Sequence, residues 1–67
     1  MNLSVQLFRA GVPDNDPIRV AIERVHVANE QTHLSPEEQG HLIGRAALAL
    51  DREIARVNKQ YGIEVSL

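Results

Sequence analysis

Residues 35–62, SPEEQGHLIGRAALALDREIARVNKQYG, decide the fold. Ser35 supplies a hydroxyl where a helix N-cap needs an acceptor, Pro36 follows at the first helical position, and Glu38 stands three residues after the serine. This is the pattern of a capping box, and Glu37 and Glu38 put negative charge at the positive end of the helix dipole. From Leu42 to Val57 there is no proline, and strong helix formers dominate. Ile43, Ala47, Leu50, Ile54, Val57 and Tyr61 recur in alternating steps of four and three, the spacing of one apolar helix stripe. Leu42, Ala46 and Ala49 widen that stripe on one side, and Gly62 is placed to end the helix in a left-handed conformation. The pattern predicts a helix over about 36–61.

Upstream, Asp16 followed by Pro17 predicts a helix start, a capping carboxylate and then a proline whose missing N–H costs nothing. Ile18, Ile22, Val25, Asn29 and Thr32 keep the same four-three spacing, with Ala21 and Ala28 on one flank, so this helix is expected over about 17–33. Val20 and Val27 lie on its far side, seven residues apart. The short break from His33 to Ser35 folds the two helices back as an antiparallel hairpin. Before them, Leu3, Val5 and Leu7 alternate with Asn2, Ser4 and Gln6, the period of a strand over about 2–9. A turn cluster from Gly11 to Pro17 follows. Ile63, Val65 and Leu67 alternate with Glu64 and Ser66, so residues 63–67 are a possible second strand. The expected architecture is mainly α, a single domain spanning 1–67, with no internal repeat or linker.

Composition bears on how such a chain is stabilised. It has 67 residues, no Cys, no Trp, and only Phe8 and Tyr61 as aromatics. A domain of this size buries only about 60% of its unfolded surface, and small natural domains add disulfides, a metal or self-association. Disulfides are excluded by composition. The hydrophobic content of 43% and net charge of −2 exclude intrinsic disorder. No apolar run approaches the roughly 18 residues of a membrane span, so a soluble cytoplasmic protein is expected. The apolar stripe of the second helix, from Leu42 around to Ala47, spans roughly 140°, wider than one neighbouring helix covers. With Val20 and Val27 uncovered as well, a homodimer forming a four-helix bundle is the expected assembly. Ile18, Ile22, Val25, Ile43, Ala47, Leu50, Ile54, Val57 and Tyr61 are its expected core and dimer-packing positions. Gly40 and Gly44 each cost about 1 kcal/mol relative to alanine in a helix interior, and close approach of another backbone would offset that cost.

Catalytic chemistry finds little footing. His26, Glu30 and His33 share one side of the first helix, and Glu30-Gln31-Thr32-His33 has the Glu-x-x-His spacing of di-metal bundles. Such sites draw further carboxylates from neighbouring helices, and here only Glu53 lies near the apolar flank. No metal is therefore expected, and these side chains read as a polar flank with Arg19 and Glu23 as charge partners. There is no nucleophilic constellation and no phosphate-binding glycine loop, so neither an enzyme nor a cofactor is expected. Arg45, Arg52, Arg56 and Lys59 fall within about 60° of one another on the second helix, with His41 beside them. Together with Val20 and Val27 they are the candidate partner-binding residues.

Strand–helix–helix order resembles the dimeric ribbon-helix-helix repressors, whose paired strands enter the major groove of DNA. That resemblance covers about the first 50 residues and would make Asn2, Ser4 and Gln6 the base readers. The net charge of −2, and Asp14 and Asp16 where phosphate contacts would fall, oppose it. The reading preferred here is a small non-enzymatic protein-binding regulator or inhibitor, acting as a homodimer that occludes a target surface. Its arginine-rich basic set, six Arg to one Lys, is consistent with a bacterial or phage genome.

Overall fold

Helix signals at Asn2, Asp16 and Ser35 each start an element in the structure, a computed structural model that describes residues 2–67. Met1, included in the expected 1–67 span, lies outside the described residues. Three helices result: α1 at Leu3–Arg9, α2 at Ile18–Asn29 and α3 at Pro36–Tyr61. The two longer helices form the expected antiparallel hairpin, and α3 has the boundaries its sequence predicts.

Residues 2–9 correct the expectation of a strand. Asn2 caps α1, its side-chain oxygen accepting from the Val5 N–H at 3.3 Å. Leu3 and Leu7, one turn apart, are both buried, whereas Val5 between them is exposed. At the other end Gly11 takes a positive φ of 80°. There the Val12 N–H donates to the Leu7 carbonyl and the Gly11 N–H to the Phe8 carbonyl. That pair of bonds is the Schellman closure, and buried Val12 packs with Leu7 in one core cluster. Asn2 and Gly11 are thus caps of a short helix, not the flanks of a strand.

The expected end of α2 at His33 also moves. The helix stops at Asn29, Glu30 closes it, and the Gln39 side chain on α3 donates to the Asn29 carbonyl at 3.2 Å. At the start of α2 the Asp16 carboxylate accepts from the Ile18 N–H at 2.9 Å, the cap role its sequence predicts. Ser35 caps α3 as predicted, accepting from the Glu38 N–H at 3.2 Å, while its hydroxyl donates to the Glu38 carboxylate at 2.9 Å. Gly62 ends α3 at φ 65°, and the Ile63 N–H reaches back to the Asn58 carbonyl.

The core lies on one side of the hairpin. Leu3 and Leu7 of α1, with Val12 and Val65, cover Ile18, Ala21, Leu50 and Val57, and Ile22, Val25, Ile54, Tyr61 and Ile63 pack around them. Of the other expected packing positions, Ile43 and Ala47 are half-buried. Residues 63–67 form no strand; side-chain amides tie them down instead. Among the described residues no helix is long and apolar enough to cross a membrane.

Gly40 and Gly44 stand in open space, with nothing within 4 Å of an added Cβ. Among the described residues no close approach of backbone explains them. Gly44→Ala is therefore expected to stabilise the fold by about 1 kcal/mol, raising Tm by roughly 4–8 °C in a domain of this size. Thermal unfolding followed by circular dichroism checks this, and a lower Tm would show that the glycine meets a neighbour in the assembled protein.

Candidate functional site

Two features converge where α2 and α3 run side by side: a buried polar junction at one end and an apolar groove along the outer face. The junction is centred on Asp16, whose residue surface is only 6% exposed. Besides the Ile18 N–H, its carboxylate accepts from the Arg56 guanidinium at 2.5 Å and from the Tyr61 hydroxyl at 3.0 Å. Arg56 also donates to Glu53 at 2.6 Å and to Gln60 at 2.7 Å, so one guanidinium joins two successive turns of α3 to the start of α2.

Burial opposes ionisation of Asp16, but hydrogen bonds from Arg56, Ile18 and Tyr61 outweigh it, and its carboxyl titrates below its usual range. Arg56 is raised in turn by its hydrogen bonds to Asp16 and Glu53, which keep it cationic. Burial, and donation to the charged Asp16, push the Tyr61 hydroxyl up. A neighbouring loop residue is braced by a further cation: Arg19 donates to the Val12 carbonyl at 3.5 Å and stands 3.7 Å from Asp14.

The groove occupies the opposite side of the hairpin from α1. It encloses about 420 Å³ between Val20, Val27 and Ala28 of α2 and Leu42, Ala46 and Ala49 of α3. Val20 is 55% exposed and Val27 42%, with no element among the described residues lying over them. Glu23 and Arg24 line it from α2 and Arg45 from α3. The structure thus brings three of the candidate partner-binding residues, Val20, Val27 and Arg45, to one surface. Arg56 belongs to the junction instead. Arg52 and Lys59 are exposed and have no ion-pair partner among the described residues.

The histidine cluster separates. His26 and Glu30 approach to 3.1 Å, but His33 lies past the end of α2 in an exposed turn and shares no helix face with them. The residues offered as base readers are placed within a helix or at its cap: Asn2 caps α1, and Gln6 binds the backbone of Ser66. The ribbon that the DNA-binding resemblance needs is not formed. Sequence reasoning recognised Asp16 as a cap but missed the junction, whose partners are 40 and 45 residues away. Compared with protein-family models, curated proteins and solved structures, the chain matches none.

Because Asp16 is depressed in the folded state, its contribution is fully present above the ordinary carboxylate value of about 4 and is lost as pH falls through the lowered one. Asp16→Ala is expected to cost roughly 2–3 kcal/mol at pH 7, from the lost cap and the charged hydrogen bonds. That range is held down because the Arg56 side chain is 35% exposed and stays partly solvated. Urea unfolding at pH 7 and pH 3 checks both points: the deficit of the variant should shrink at the lower pH, and an equal deficit at both would deny the charge its role.

Proposed function

We propose that the chain is a small non-enzymatic protein-binding regulator or inhibitor that works as a homodimer, the hairpins of two copies joining through the α2–α3 groove as a four-helix bundle. The observation that carries this is the uncovered apolar groove itself. Burying such a surface is favourable at about 25 cal/mol per Å² of apolar area.

A second copy suits the groove in shape and in charge. Val20 and Val27 repeat at a heptad interval, so α2 of one copy presents the same type of side chain at successive levels of a helix seam. Ala46 and Ala49 leave room for it on α3. The lining carries both signs, Glu23 on α2 and Arg45 on α3. A two-fold arrangement would let Glu23 of each copy meet Arg45 of the other, a self-complementary match. Arg52 and Lys59 would remain exposed in such a dimer, a pair of cations for an acidic surface on the target. Occlusion of that surface by a rigid bundle is the proposed mode of action.

Sedimentation equilibrium tests the assembly. The protein is expected to be dimeric at micromolar concentration, and Val27→Glu to give a folded monomer, because a charge at an apolar seam position opposes its burial. A wild-type monomer across that range overturns the dimer, as does a Val27→Glu variant that still dimerises.

A further inference from the structure

The charges lining the α2–α3 groove do not balance. Glu23 stands there against two cations, Arg24 and Arg45. Both arginines are exposed in the single chain, and neither has an ion-pair partner among the described residues. Glu38 shares an adjoining hollow with Arg45, but the Ser35 hydroxyl already donates to it. In the single chain water solvates the surplus. In the dimer proposed above, on which this inference rests, two copies bring two Glu23 and four arginines to one seam. Pairing each Glu23 with the Arg45 of the other copy leaves Arg24 of both copies unmatched.

Position makes Arg24 more than a rim charge. It falls four residues after Val20 and three before Val27, on the same stripe of α2. A two-fold interface is isologous, so where Val20 of one copy meets Val27 of the other, the reverse contact forms as well. The axis then crosses α2 midway between the valines, at the level of residues 23 and 24. The two Arg24 side chains arrive beside that axis, with a valine contact on either side. A carboxylate in such a place could neutralise itself by taking up a proton, whereas a guanidinium cannot. Two like charges brought together out of water need an anion between them.

We propose that the dimer seam binds a doubly charged oxyanion of the phosphate or sulfate class, held by Arg24 of both copies. The planar guanidinium fork matches two oxygens of such an ion at once, so one tetrahedral anion serves both arginines. A single copy forms only half of the site. The anion therefore binds the dimer in preference to the monomer, and its concentration sets how far the chain assembles.

The test is sedimentation equilibrium in sodium phosphate at pH 7 against sodium chloride of equal ionic strength, which removes general screening as a cause. With phosphate at about ten times its dissociation constant from the dimer, the dimer's own dissociation constant is expected to fall about tenfold. Sulfate should act likewise. Phenyl phosphate, a bulkier ester, should not, because the valine contacts close the seam on both sides; an equal effect would overturn the enclosed ion. Arg24→Gln, at an exposed position where folding is not at risk, is expected to dimerise in chloride at least as tightly as wild type and to lose the response to phosphate. Equal wild-type dissociation constants in the two salts overturn the anion site and leave the dimer standing, and a phosphate response that survives Arg24→Gln also overturns it. A monomer in both salts overturns the anion site and the dimer together.

Discussion

Asp16 is the constraint on which the other parts of the molecule depend. A carboxylate this buried would be costly alone, and it is tolerated because a guanidinium, a hydroxyl and a backbone amide all donate to it. Each donor belongs to a different part of the chain's geometry. The Ile18 amide fixes where α2 begins, Arg56 fixes how α2 and α3 lie along one another, and Tyr61 fixes the last turn of α3. Once that turn is placed, Gly62 and Asn58 direct the following segment back across the core towards α1. The hydrophobic cluster needs these registers to be right, since Leu7, Ile18 and Val57, its three most deeply buried side chains, come from three different helices.

The caps of α3 were legible in the sequence. Ser35, Pro36 and Gly62 bracket α3 because caps act over three or four residues, a range that sequence displays directly. The N-terminal element failed for a reason of arithmetic. Leu3, Val5 and Leu7 satisfy a period of two, but Leu3 and Leu7 alone also satisfy one helical turn, and seven residues are too few to separate the periods. Burial separates them, since Val5 faces solvent while Leu3 and Leu7, four residues apart, do not. Asn2 and the Gly11–Val12 pair were the available signal, the first read as a strand residue and the second as part of a turn when they are helix caps. At the other end, alternation in 63–67 did mark extended chain, but the groups that pair with it are side chains from Gln6 and Asn58, which no strand pattern announces.

The candidate surface was legible in pieces. Val20, Val27 and Arg45 could be named from the helix periodicity, as could Leu42, Ala46 and Ala49 as an apolar flank. That they face one another across a groove depends on the hairpin's packing. The four basic residues of α3 looked equivalent by angle alone, yet Arg56 is set apart by its level along the helix, opposite Asp16. Helix angle says which side a residue occupies and nothing about what stands at that height, so a charge ladder divides into a structural cation and solvated ones only when the neighbour is in place.

The pairing of Tyr61 with Asp16 has a spectroscopic consequence. The chain contains no tryptophan and this one tyrosine. Its near-ultraviolet emission therefore comes from a single phenol, and that phenol donates its proton to a carboxylate, an arrangement that quenches tyrosine fluorescence. The natural protein thus carries an intrinsic optical probe at the junction that sets its helix register. Brightening of its emission would mark the parting of Tyr61 from Asp16, with no label attached and no residue replaced.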